Sequence, residues 1–268
     1  MHASTSSEPA PAVPEASAGD AVRQDLLRLA HHLSREGMAL WGEGNVSARL
    51  GDGRFLVKAS GTRMHALQAG HLVEVRSAPL LDAIAGGGVL DDAAMDRLLL
   101  DVRADADALK PSVESLFHAW LLELPGIRFV GHCHPIAVNQ ILCSPRAEAF
   151  ARQRLFPDHV VYTGPASALV PYVDPGLVLA RTIAREVLAF TETHRQLPRT
   201  ILLQNHGLIA LGASAEETMA AVDLMEKAAR VFIGAAALGG PTFLPPEHVR
   251  RIAGRPDEHY RKRMLTGT

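Results

Sequence analysis

Two spacings of apolar residues alternate along the chain, and each predicts its own set of elements. Leu26, Leu27, Leu29, Ala30 and Leu33 recur at helical spacing and predict a helix near 20–36, with Asp20 as candidate N-cap and Gly37 placed to end it. A glycine-containing loop from Trp41 then runs into a strand ending near Leu50. The turn Gly51-Asp52-Gly53 leads to a second strand over 55–58, and a third over 72–75 completes an antiparallel start to a sheet. Residues 77–108 read either as two short helices, 79–85 and 91–102, joined by Gly86-Gly87-Gly88, or as an irregular insertion. Residues 110–115 open another helix, with Pro111 in its first turn, Ser112 as its cap, and Leu116, Phe117, Trp120 and Leu121 as its buried stripe.

The β-branched run Ile127-Arg128-Phe129-Val130 predicts a strand, and helices follow near 136–142 and 145–153. Val160-Val161-Tyr162 is strand-like, and apolar positions from Leu177 to Leu188 predict a helix over 176–193. Ile201-Leu202-Leu203 begins a hairpin over 201–211 that turns at Asn205-His206-Gly207. A long helix over 214–238 opens with the capping-box pattern Ser214-Ala215-Glu216-Glu217, and one or two short peripheral helices follow. Residues 1–19 are mostly Ala, Ser, Pro and Glu with little to bury. They are expected to form a disordered tail ahead of one domain spanning 20–268.

Composition removes several function classes. The 268 residues carry a formal net charge of −2, which gives no reason to expect bulk nucleic-acid or anionic-membrane binding. Two cysteines, Cys133 and Cys143, do not make a disulfide framework, so a reduced, cytoplasmic setting is expected. No apolar run approaches the roughly 18–20 residues that span a bilayer. The first residues lack the basic and apolar regions of a signal peptide.

The candidate chemistry centres on Gly131-His132-Cys133-His134-Pro135. Alternation along a strand puts His132 and His134 on one face, one pleat apart, where two imidazoles can grip one metal ion. His206, just after another apolar strand, is the third candidate, and three neutral histidines with an open position make a catalytic type of zinc site. A His-x-His alone is equally an ordinary core or surface pair. Gly44-Asn45, Ser60-Gly61-Thr62 and Pro111-Ser112 are small-residue loops whose amides and hydroxyls can hold an anion, or are plain turns. No stretch matches the nucleotide-phosphate pattern Gly-x-x-x-x-Gly-Lys-Ser/Thr. Glu114 is either a charge favoured by a helix dipole or a proton carrier beside the metal. His118, four residues on, either supports it or packs; His65, His71, His159, His194, His248 and His259 have no context that assigns them a role.

Gly44-Asn45-x-Ser47, Ser60-Gly61-Thr62, Pro111-Ser112-x-Glu114, His132-x-His134-Pro135 and Asn205-His206-Gly207 resemble, in order and rough spacing, the class II aldolase/adducin family. The similarity runs from about residue 22 to 235. It implies a three-layer α/β/α sandwich around a mainly antiparallel central sheet, in homotetramers with active sites between subunits. It implies one Zn2+ per chain on His132, His134 and His206, and Glu114 as the acid that moves a proton beside the substrate carbonyl. Gly44, Asn45, Ser60, Gly61 and Ser112 match groups that hold a substrate phosphate. Two positions depart from the fuculose-phosphate members: Val113 stands where a second serine is expected, and residues 154–158 contain no tyrosine. The implied activity is a zinc-dependent aldolase cleaving a sugar phosphate or related hydroxy-carbonyl compound through a metal-stabilised enediolate. Epimerase, dehydratase and decarboxylase reactions need the same enediolate, and an adducin-like interaction module needs none of these groups.

Overall fold

The computed structural model describes residues 18–267. Helix α1 (Ala18–Leu33) leads into a meander of β1 (Asn45–Gly51), β2 (Arg54–Lys58) and β3 (Leu72–Arg76), with two short 3₁₀ turns before β3. Helices α2 (Ser77–Ala85), α3 (Asp92–Asp101) and α4 (Ser115–Leu122) precede β4 (Phe129–Cys133). Next come α5 (Ile136–Leu142), α6 (Ala147–Arg152), α7 (Pro157–Thr163), β5 (Ala168–Val170) and α8 (Leu177–His194). The hairpin of β6 (Thr200–Leu203) and β7 (Gly207–Gly212), then α9 (Ala215–Ala237), α10 (Pro246–Ala253) and α11 (Pro256–Thr266), complete the chain.

The strands form one seven-stranded sheet in the order β3-β2-β1-β4-β7-β6-β5. Every neighbouring pair is antiparallel except β5 with β6. Side-chain alternation divides the core into two layers. Val46, Ala48, Leu56, Cys133, Leu208 and Ala210 pack against α1, α5, α6 and α9. Phe55, Val57, Val130, Ile201, Ile209 and Leu211 pack against α2, α4 and α8. The sheet is therefore covered on both faces, which is why β6 and β7 read as unbroken apolar runs. The expected three-layer sandwich and mainly antiparallel sheet are both present. No helix among the described residues is long and apolar enough to cross a membrane.

Several expected boundaries move. Helix α1 starts at Ala18 and stops at Leu33, so Asp20 lies in its first turn rather than at a cap, and Gly37 is a separate turn residue with φ +80°. Residues 1–17 of the expected tail lie outside the described residues. The stretch 77–108 holds the two helices rather than an irregular insertion, and Asp91 caps the second by accepting from the Ala94 amide at 2.7 Å. Val160-Val161-Tyr162 is not a strand but part of α7. Pro157 at the helix start and the buried set His159, Val160 and Thr163 set a helical period that outweighs the β preference of two valines. Helix α4 begins at Ser115, later than expected, because Pro111 is held extended in a bridge to Ala59. Ser112 does not cap the helix; its hydroxyl accepts from the Glu114 amide just ahead of it, at 3.3 Å.

Candidate metal centre

The register of the central strands builds the site. Asn45 on β1 lies opposite His132 on β4, and His132 lies opposite Ile209 on β7. Asn45 and His132 are thereby placed on the α4 face, above the turn that carries Glu114. His132 is completely buried, and its Nδ1 lies 3.0 Å from the Leu208 carbonyl. A carbonyl can only accept, so Nδ1 carries a proton, and Nε2 is the nitrogen that would offer a lone pair in the neutral ring. That Nε2 lies 3.2 Å from Nε2 of His134, the residue just past the end of β4. His134 is anchored through its own amide, which donates to the Met38 carbonyl at 2.9 Å.

His206 arrives from the β6–β7 turn, where Asn205 adopts the left-handed conformation with φ +54°. Helix α5 fixes that turn: Asn139 donates to the His206 carbonyl at 3.0 Å, and the Asn205 amide donates to the Leu142 carbonyl at 3.3 Å. Since α5 starts directly after His134-Pro135, one short helix ties the third histidine to the first two. One ligand-type nitrogen from each of the three rings falls within a 4.8 Å cluster, a group that can hold a metal ion. The close approach needs glycines. A Cβ on Gly207 would lie 2.7 Å from both the Cys133 carbonyl and His134 Cδ2, and one on Gly44 would lie 2.5 Å from the His132 carbonyl.

Glu114 stands over this cluster. Its Oε1 is 3.5 Å from His132 Nε2 and 3.6 Å from His206 Nε2, while Oε2 accepts from Asn45 Nδ2 at 2.5 Å. Burial pushes its carboxyl up, but neighbouring His132, with the hydrogen bond from Asn45, outweighs this and holds it well below the usual carboxylate range. Burial likewise pushes His132 down, and Glu114 with the Leu208 carbonyl reverses the direction. Burial, then the adjacent histidines, pushes His134 down to about 3. His206 is pushed down to about 4 by burial and then by His132. Two of the three rings are thus held in the neutral, ligand form. Three imidazoles suit a borderline divalent ion such as zinc, so the residues present fit the implied metal.

The three small-residue loops also converge. Asn45 Nδ2 lies 3.3 Å from the Ser112 hydroxyl, and the Ser60 amide donates to the Lys110 carbonyl at 2.9 Å. Ser60 and Gly61, the latter at φ +74°, form an exposed turn beside them. Val113 packs into the α4-side core and offers no hydroxyl. Tyr172 donates to Asp174 at 3.2 Å; like Tyr260 it is mostly exposed, and Tyr162 lies in α7. His118 is buried beneath the site, stacked on Phe117, with Nδ1 2.6 Å from the Ser47 hydroxyl. Burial pushes it down to about 3, so it is a neutral support beneath Glu114.

Sequence reasoning missed four groups here. Lys58 is buried at the end of β2 and donates to the Thr62 carbonyl at 2.8 Å, beneath the Ser60 turn. Glu43 approaches His134 Nδ1 at 3.8 Å, on the side away from His132. Asn139 and the Leu208 carbonyl complete the set. Lys58 left a signal, a charged residue closing an otherwise apolar strand; the other three are known only from the contacts.

Comparison with known proteins agrees with the geometry. The family model for the class II aldolase and adducin N-terminal domain matches residues 24–233. An uncharacterized oxidoreductase of Bacillus subtilis (strain 168) is 27% identical over 66% of this chain, which spans only 24% of that protein's length. The 3-oxo-tetronate 4-phosphate decarboxylase of Escherichia coli (strain K12) is 26% identical over 78% of this chain and 85% of its own. A solved L-fuculose 1-phosphate aldolase superposes with a TM-score of 0.65 at 19% identity, covering 89% of this chain and 96% of that one. With the family model matching most of its length, a His triad at the centre of its sheet and the same fold, the chain belongs to the class II aldolase/adducin family.

Proposed function

We propose that this chain is a zinc-dependent lyase that cleaves a carbon–carbon bond in a phosphorylated or related hydroxy-carbonyl compound, with aldol cleavage as its reaction. One observation carries the reading: a carboxylate, Glu114, 3.5–3.6 Å from two of three imidazoles that converge on one point. A scaffold gains little from burying such a set, because ring nitrogens that face one another compensate each other's lost hydration poorly. His132, His134 and His206 would hold the ion, which when bound would supply Lewis-acid stabilisation of the negative charge that develops beside the carbonyl.

The chain's own residues do the rest. Glu114 delivers a proton to the carbon beside the carbonyl after cleavage, or removes it in the condensing direction. Asn45 orients Glu114 and, with Ser60, Gly61 and Ser112, receives the anionic end of the substrate. His118, held neutral and bonded to Ser47, keeps the floor under Glu114 rigid.

Decarboxylation of a 3-oxo acid phosphate is the second reading, and two observations favour it. The Escherichia coli relative that bears this name matches over most of both chains. Among the described residues no tyrosine is hydrogen-bonded to Glu114 or the triad, and departing carbon dioxide needs no acid or base where an aldehyde does. Zinc-loaded protein incubated with ketose 1-phosphates and with 3-oxo acid phosphates, products read by mass, separates the two. Aldehyde plus a three-carbon phosphate supports the aldolase, and loss of 44 mass units, about one carbon dioxide, supports the decarboxylase. Protein that purifies without zinc and turns over neither class overturns both in favour of an interaction module.

A further inference from the structure

A second buried charge lies at the β5 edge of the sheet. Arg154, just after α6, is completely buried. Its guanidinium donates to the Gly164 carbonyl at 2.7 Å, to the Ala151 and Gln153 carbonyls at 3.1 Å, and to the Ser167 hydroxyl at 3.0 Å. The Ser167 hydroxyl in turn lies 2.7 Å from that of Thr200. None of these partners is a carboxylate. A full positive charge is thus out of water with its hydrogen bonds met and no opposing charge, and burial pushes its pKa down to about 9.

Arg154 lines a cavity of about 510 Å³ between the end of α8 and α10. Arg152, His194 and Arg250 line it too, Leu244 and Val249 supply an apolar wall, and no aspartate or glutamate is part of the lining. Glu148, which pairs with Arg152 at 3.0 Å, is largely exposed and outside the lining. His194 is pushed down by burial, then by Arg152 and Arg154, so the positive field reaches the cavity. A concave site of one sign with low-dielectric walls concentrates counter-ions of the other. Its volume is that of an ordinary small-molecule pocket. It shares no residue with the His triad.

We propose that this cavity is a binding site for a small organic anion, with a phosphate or carboxylate head at the exposed Arg152 and Arg250, in the field of the buried Arg154 charge behind them, and an apolar body against Leu244 and Val249. The site stands independently of the reaction assigned to the triad. Its test uses 1-naphthyl phosphate, 1-naphthoate and neutral 1-naphthalenemethanol as probes, titrated calorimetrically into the full-length chain. Saturable binding of an anion, absent for the neutral probe and weakened about tenfold or more by Arg152→Glu with Arg250→Glu, is the expected result. The two anions identify the preferred head. Both substituted arginines are exposed, and Arg250→Glu alone, with an unchanged circular dichroism spectrum, guards against a folding artefact. Equal binding of the neutral probe, no saturation at millimolar anion, or binding that survives the charge reversal and disappears in His206→Ala would each overturn the proposal.

Discussion

The molecule buries two sets of nitrogen-rich side chains, and they are built on opposite terms. Around Arg154 four hydrogen bonds to the guanidinium end on carbonyls or a hydroxyl supplied by residues within thirteen positions of it. Around the triad, ring nitrogens converge on one another from segments more than seventy positions apart, and the Asn45 Oδ1 and His118 Nε2 atoms at its margin have no hydrogen-bond partner. The first arrangement is complete in hydrogen bonds and incomplete in charge. The second has an opposing charge in Glu114 but is incomplete in hydrogen bonds, and it is the one held together by long-range contacts. Local satisfaction marks a group that braces the fold; convergence of unsatisfied groups from distant segments marks one that waits for a ligand.

Breaking the triad tests that contrast most severely. His132→Ala and His206→Ala are expected to reduce zinc from one per chain to background and abolish turnover, read by metal analysis and product formation. Parent-level zinc in either variant would remove the ligand assignment. Glu114→Gln should keep zinc and lower turnover about 10²–10⁴-fold, because it removes a titratable group while keeping size and most hydrogen bonding. Near-normal turnover, with normal exchange of the substrate α-proton into deuterium, would leave Glu114 as a helix-end charge worth about 0.3–1 kcal/mol.

Arg154→Met probes the other set. It strands buried carbonyls, each costing about 1–3 kcal/mol, so urea unfolding should show a loss of about 3 kcal/mol with zinc content unchanged. A variant that unfolds normally but loses zinc would erase the division between the two clusters. Asn139→Asp is the finest test: a carboxylate cannot donate to the His206 carbonyl, and outer-shell losses of this kind weaken metal binding about 10–100-fold. Competition with a chelating dye measures it, and Asn139→Gln, which keeps the donor, should recover part of the affinity.

Much of this was legible in the residues. Alternation in β4 and the turn after β6 point to His132, His134 and His206 from the sequence alone, and the two apolar periods mark the strands and most helices. What stayed hidden depends on partners remote in the chain. Val160 and Val161 carry strand preference, and only packing of His159, Val160 and Thr163 makes α7 a helix. Ser112 has the sequence pattern of a cap because nothing local shows Pro111 bridged to Ala59. Arg154 leaves no mark in the sequence because its partners are mainly backbone carbonyls, which every residue possesses.

The placement of β7 between β4 and β6 has a consequence for synthesis. Strand β4 ends at Cys133, yet the strand that covers its second edge begins only at Gly207. At about 5–20 residues per second a ribosome takes on the order of several seconds to make the intervening stretch. Throughout that interval the nascent chain carries an apolar strand with one open edge, the form most prone to pair with a foreign strand. A chaperone that shields strand edges during translation should therefore raise the yield of this protein more than one acting after release, and ribosome-bound chains arrested before and after residue 212 offer the comparison.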